Sequence, residues 1–492
     1  MNGETHQKND RSPLPLSLVS SRRSLESRTP RGRLDALSLG EPLEPGMAGK
    51  LEEIARLPYV ASVLALPDLH WKARMEVPSS LAIATRGMIV PEFTSADVND
   101  GMGVVATGIS EDRLTPARIE AFFRTVNADS AAHFFDRNRL SLDASDLERA
   151  VLEGARGVLD RYGFEPRVLE AFEQDGTVAP AGGGREALGR AVPAALMASS
   201  FSRSEMGLNF GGNHFLELQA VDAILDVEAA RRFGFERGQV VVMYHLGPGP
   251  FAGTLLHHYV RREKLRRERV PLFFLSKLLF HYLQRGPRGG ARKWALHFRK
   301  NGWTPFPADS EEGMLLQSAI ALATNFGSAY RLATVRAITD GVRQAIAPEA
   351  EPRLLCDISH NGVHREDVEG ESMWVARHNA CRLEPGRLTL VAGSYDVPSY
   401  LGIGADDGGR FHSYDHGAGN LIDHYRSHGL LRPVAGSVLR FKGTRGRKGG
   451  LTDRYSMSLS SSEPIDRLME CLEQNRVMRS AVRLRPLGNF KN

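Results

Sequence analysis

The stretch Phe93-Thr-Ser-Ala-Asp-Val-Asn-Asp-Gly-Met-Gly-Val-Val105 is apolar and strand-like, yet it carries two carboxylates, Asp97 and Asp100, three residues apart. Burying an unpaired carboxylate is costly. A divalent cation turns both aspartates into favourable ligands, and Gly101 and Gly103 let the backbone turn tightly around it. Three histidines have a matching context. His245 closes the apolar run "VVVMYH" before Leu-Gly, His360 closes "LLCDISH" before Asn-Gly, and His214 follows Gly-Gly-Asn and leads into "FLELQAV". A strand that ends in histidine and turns at glycine points an imidazole into a cleft. Any one such residue reads first as a buried histidine bonded to backbone. Three of them with two aspartates read as a metal site, and nitrogen with carboxylate oxygen suits Mn, Zn or Fe.

A fourth histidine differs. In "YDHGAGN", His416 stands directly before Gly417-Ala-Gly419. Backbone N–H groups in such a turn can cradle a phosphate. An imidazole beside that cradle serves as a general acid, or as a nucleophile that becomes phosphorylated or nucleotidylated.

Elements must position these groups. The runs "VASVLALPDLH", "SSLAIATRGMIV", "QVVVMYHLG", "PRLLCDISHNG" and "RLTLVAGS" read as strands. Helical periodicity marks 115–126, 145–161, 311–346 and 464–475. The intermixed order gives an α+β fold with its elements around a central cleft. Residues 1–45, rich in Ser, Arg, Pro and Gly, read as a disordered basic tail, and 46–492 as one catalytic unit. Two basic stretches stand out within it: the helical 257–300 and the glycine-rich 440–450. Each reads as a solvated surface or as a phosphate contact.

The totals set bounds. The 492 residues carry 63 Lys and Arg against 58 Asp and Glu, a net charge of +5 that is compatible with a polyanionic partner. No apolar run is long enough to span a bilayer, and no signal-peptide pattern opens the chain. Three cysteines without paired spacing argue against a disulfide framework and for a reducing, cytoplasmic setting.

The ordered motifs "LPDLH", "ADVNDGMG", "GGNHFLELQ", "YHLGPG", "ATNFGSAYR", "DISHNGVHRED", "AGSYDVPSYLG", "DHGAGN" and "VRLRPLGNFK" resemble the RtcB RNA ligases from about residue 55 to the C-terminus. That family joins RNA ends bearing a 3′-phosphate or 2′,3′-cyclic phosphate to 5′-hydroxyl ends. The resemblance implies GTP and Mn²⁺, the latter as two ions, as cofactors. It implies Asp97, Asp100, His214, His245 and His360 at the metals, and His416 as the residue that becomes guanylylated. It further implies Asn213, Glu217, Ser394, Ser399 and Lys491 at the nucleotide, with Gly417 and Gly419 beside it, and Asp68 as an acid assisting near the metals. The implied partners are RNA ends and an archease-like activator, with no membrane; a monomer is expected.

This sequence also departs from the family pattern. Asp100 stands where the family has a cysteine. "HLGPGP" replaces a histidine-led motif with serine and arginine, Asn420 replaces an arginine, and the tyrosine expected against guanine near Ser462 is missing. Two alternatives to ligation therefore stay open: a metal-dependent phosphoesterase, and a non-catalytic protein that binds RNA ends on the same scaffold.

Overall fold

The computed structural model describes residues 22–24, 32–40, 43–72, 75–128, 137–260, 271–284, 302–405, 412–443 and 450–491. Two large sheets organise them. A nine-stranded sheet runs Arg353–Ser359, Gly101–Ser110, Gln239–Leu246, Phe215–Ile224, Met478–Lys491, Ser399–Gly404 and Leu388–Val391. Pro433–Gly443 joins it parallel to Met478–Lys491 and pairs outward with Leu451–Ser460. A six-stranded sheet runs Arg22–Ser24, Arg33–Leu37, Val60–His70, Ser79–Thr85, Glu371–His378 and Asn361–Val368.

The strands appear where the sequence places them, because their apolar runs are buried on both faces. Gln239–Leu246 is buried at every position after the first, as a central strand should be. The long helix is Glu311–Ala345, capped by Ser310, whose Oγ accepts the Gly313 N–H at 3.0 Å. Its buried residues lie on every side, so it runs through the core rather than over it. The expected helices near 115–126 and 464–475 are Pro116–Ala128 and Glu463–Gln474.

Two expectations need correction. The helix read over 145–161 stops at Glu153. Gly154 adopts a φ of +64°, and a Cβ there would stand 2.0 Å from the Gly176 carbonyl oxygen. The chain continues as short turns, Gly154–Val158 and Leu159–Tyr162. The disordered tail, read as far as residue 45, ends earlier. Arg33–Leu37 pairs parallel to Val60–His70 and buries Leu34, Ala36 and Leu37. A five-residue strand flanked by Gly and Pro is too short to show periodicity, and tertiary pairing decides it. The rest of that tail lies largely outside the described residues, as do 261–270, 285–300 and 444–449 of the two basic stretches. The described part of the first includes the helical turns Pro271–Leu278 and Leu279–Gln284. The three cysteines are free and buried. Among the described residues, no helix is long and apolar enough to cross a membrane.

The early strand makes a direct prediction. Leu34→Ala should destabilise the protein by about 2–5 kcal/mol, the cost of a buried leucine. Denaturant unfolding measures it; an unchanged midpoint would return this segment to a loose tail.

Candidate metal and nucleophile site

Sheet register gathers the candidate residues. Gly101 pairs with Ser359 on one side and with Leu246 on the other, and Phe215 pairs with His245. Asp100, His360, His245 and His214 therefore leave neighbouring strands at one end of the nine-stranded sheet. The His360 N–H closes the corner by donating to the Asp100 carbonyl at 2.9 Å.

The side chains converge on Asp100. Its Oδ1 lies 3.5 Å from both His245 Nε2 and His360 Nε2, and its Oδ2 lies 3.5 Å from His214 Nε2. His245 Nε2 and His360 Nε2 are 2.9 Å apart. Donor atoms about 2.1 Å from one ion stand roughly 3.0–3.4 Å from each other in tetrahedral or octahedral geometry, so the spacing fits a cation. Asp100 Oδ1 and His360 Nδ1 are both buried without a hydrogen-bond partner, and such an orphaned carboxylate oxygen requires a counter-charge. Asp100, His245 and His360 are thus the residues that would hold a divalent ion, with His214 beside them. A carboxylate in place of a thiolate makes the set harder and favours Mn²⁺ or Mg²⁺.

Electrostatics agree. Burial pushes the Asp100 carboxyl up, but His360 and His214 outweigh it and hold it well below the usual carboxylate range. Burial pushes His245 down to about 4, which keeps that ring a neutral ligand. Burial also opposes charge on His214, where Asp100 prevails and raises it.

His416 stands against this cluster, its ring centroid 4.5 Å from that of His360 and 6.0 Å from that of His245. Its Nδ1 lies 3.1 Å from the Asn379 carbonyl oxygen. A carbonyl only accepts, so Nδ1 carries the proton and Nε2 keeps its lone pair. Burial, then His360 and His245, hold its pKa well below the ordinary imidazole range.

The remaining predicted residues divide. Asp97 is exposed, and its carboxylate is not among the converging donor atoms. Asp68 is buried, and its carboxylate accepts the N–H groups of Asn420 at 3.3 Å and Leu421 at 2.7 Å, at the start of the helix Gly419–Ser427. It anchors the segment that follows His416, and burial raises it to about 7. The expected phosphate cradle is thus partly filled by the protein itself, since the Ala418 N–H also donates, to the Ala392 carbonyl. Gly417 lies tight against Ala392, while Gly419 faces open space.

At the expected nucleotide pocket, Glu217 is buried and accepts from Gln219 at 2.7 Å and Asn489 at 2.8 Å; burial raises it to about 7. Ser399 Oγ accepts the Gly393 N–H at 3.0 Å. Ser394 donates to Asp396 at 2.7 Å, and Arg426 holds both. Asn213 is exposed and Lys491 half-buried.

Sequence reading missed Lys72, whose positive charge acts on Asp100, Asp68 and His416. Its place two residues after "PDLH" was an available signal. It also missed Asn379, which acts through its backbone carbonyl and has no side-chain signature.

Comparison with known proteins adds the context. A family model described as tRNA-splicing ligase RtcB matches residues 50–492. A tRNA-splicing ligase RtcB of Thermococcus kodakarensis is 26% identical over 474 residues, covering 89% of each chain. One of Pyrobaculum aerophilum is 24% identical, covering 87% of each. An RNA-splicing ligase RtcB of Mycobacterium tuberculosis is 26% identical, covering 89% of this chain and 99% of the relative.

The geometry ranks the two aspartates. Asp100→Ala should weaken Mn²⁺ binding by more than the roughly 10–100-fold that loss of a supporting outer partner costs, and Asp97→Ala by less than that. Calorimetric titration with MnCl₂ decides it, and a larger loss at Asp97 would move the centre of the site.

Proposed function

The chain belongs to the RtcB family and is an RNA ligase by that membership; from this premise we propose that it joins 3′-phosphate and 5′-hydroxyl RNA ends with GTP and Mn²⁺ through a guanylylated His416. The observation that carries the reading is the state of the His416 ring. With Nδ1–H held by the Asn379 carbonyl, Nε2 keeps its lone pair, on a ring whose centroid lies 4.5 Å from that of His360.

His416 Nε2 attacks the α-phosphorus of GTP, an N–P bond forms, and the bond to pyrophosphate breaks. An oxygen of the RNA 3′-phosphate then attacks the same phosphorus and frees the histidine. The 5′-hydroxyl of the second RNA finally attacks the 3′-phosphorus and GMP leaves. A 2′,3′-cyclic end first needs opening by water. Asp100, His245 and His360 would hold the Mn²⁺, which when bound would neutralise the charge that builds on phosphate oxygens. Lys72 adds a protein cation to the same side of the cleft.

Nucleotide binding on the far side is supported by a polar pocket. Gln219 Oε1 and Asn489 Oδ1 are buried acceptors without partners around Glu217, which suits a ligand rich in N–H donors such as guanine. Arg440 lies 3.6 Å over the Tyr395 ring, with Arg426 4.9 Å from the same ring. This stack offers planar groups to a base, and Lys491 sits nearby in register with Lys442.

One observation favours a hydrolytic second reading: Pro248-Gly249-Pro250 and Asn420 offer no guanidinium at positions where family members carry arginine. In that case the metal set would open cyclic phosphates without GTP.

Denaturing electrophoresis after incubation with α-labelled GTP and Mn²⁺ separates the readings. Wild type should retain an acid-labile, alkali-stable label, and His416→Ala none. No label, together with phosphate-ester hydrolysis in the absence of GTP, would replace ligation by the second reading. The pH profile carries a sign. A histidine with its ordinary pKa of about 6.5 loses its nucleophile as pH falls from 8 to 6. His416, held well below that range, stays neutral, so adduct formation should not fall over this window through protonation of His416.

A further inference from the structure

The motif Ala323-Thr-Asn-Phe-Gly-Ser-Ala-Tyr-Arg331 supplies none of the converging donor atoms, yet it touches the segment that carries them. Thr324, Gly327, Ser328 and Arg331 recur at helical spacing and so share one face of Glu311–Ala345. That face receives Asn99, the residue before Asp100. Asn99 Nδ2 donates to the Thr324 carbonyl at 2.5 Å and lies 3.2 Å from Ser328 Oγ. Arg331 Nη1 donates to the Asn99 carbonyl, and Nη2 to Asn99 Oδ1 at 3.1 Å. Gly327 leaves the room: a Cβ there would stand 2.8 Å from Asn99 Nδ2.

Asn99 needs this support because its φ is +65°, a left-handed conformation that asparagine tolerates better than most residues. The turn aims Asp100 at the histidines. With extended backbone at 99 the following side chain would leave in another direction.

Arg331 also reaches the two histidine strands. Its Nε and Nη2 grip Asp357 at 2.6–2.9 Å, and Tyr244 donates its hydroxyl to Asp357 Oδ2 at 2.6 Å. Tyr244 immediately precedes His245 and lies on the opposite face of its strand. Asp357 stands three residues before His360 on the edge strand. One buried guanidinium, 1% exposed, thus joins the chain segments that bear Asp100, His245 and His360.

We infer that Arg331 and Asn99 are positioning residues for the divalent-cation site: the helix Glu311–Ala345 reads the turn at Asn99 and fixes the Asp100 carboxylate relative to His245 and His360. This rests on the reading of those three residues as cation ligands. Arg331 is suited to the task because a guanidinium fork holds a carboxylate and a carbonyl at once; an ammonium holds one point.

The test is MnCl₂ titration of the full chain, followed by calorimetry and by the electron paramagnetic resonance of free Mn²⁺. Wild type, Asn99→Gly, Arg331→Lys and Asp100→Ala are compared, each with its thermal unfolding midpoint. Asn99→Gly keeps the left-handed backbone and removes only the side-chain bonds, so it guards against a variant of Arg331 that fails to fold. Asn99→Gly and Arg331→Lys should bind Mn²⁺ about 10–100-fold more weakly, with Asn99→Gly still unfolding cooperatively near the wild-type midpoint. Wild type binding with both variants within twofold overturns the positioning role and leaves the cation site standing. No binding by wild type, indistinguishable from Asp100→Ala, overturns the cation site and the positioning role with it.

Discussion

The Asp100 carboxylate, buried among His214, His245 and His360, is the constraint that the rest of the structure serves. A charge in this position is tolerable only with opposite charge at close range. Three imidazoles within 3.5 Å give it directional neighbours, but each is also a metal ligand by nature. Satisfying both oxygens of Asp100 demands that four chain segments end at one place. The nine-stranded sheet meets that demand. Its register fixes Gly101 against Ser359 and Leu246, and the ligands follow as the next side chains along.

His416, the proposed nucleophile, is held differently. His416 sits on no long strand; it follows the short Ser413–Asp415 and precedes the helix Gly419–Ser427. Its place is set by backbone bonds to Ala392 on both sides and by Asp68, which takes the first amides of the helix. In the proposed role such a mount would keep the ring oriented while a bond to phosphorus forms and breaks.

Much of this was legible in sequence. Apolar runs ending in His-x-Gly located His245 and His360, and the motif order matched the family that the comparisons found. The long helix and the central strands followed from periodicity. What sequence does not display is the set of contacts that sorts these residues. Asp97 and Asp100 are chemically equal, and only the left-handed turn at Asn99 chooses which one enters the cluster. The bonds from Asp68 to the amides of residues 420 and 421 cross about 350 positions of chain, so its place beside the His416 segment shows only in the fold. Asn379 orients His416 through a carbonyl that any residue would offer. Arg33–Leu37 was taken for tail because five residues carry too little pattern.

The departures from the family pattern make joint sense when charge is followed around the cleft. Asn420 adds no guanidinium, and the amide beside it is bonded to Asp68. The helix terminus near His416 is therefore a weak anion site, since its partial positive charge is already met. Neutralising a phosphate on this side would then fall to a cation held at Asp100 and to Lys72. Asp100 deepens that dependence, for a hard carboxylate binds hard ions well and offers soft ones little. On the proposed reading the burden moves from fixed arginines to an exchangeable ion. Activity should then follow free Mn²⁺ more steeply than in a relative whose arginines remain, because loss of the ion would leave fewer fixed positive groups at the cleft, Lys72 among them.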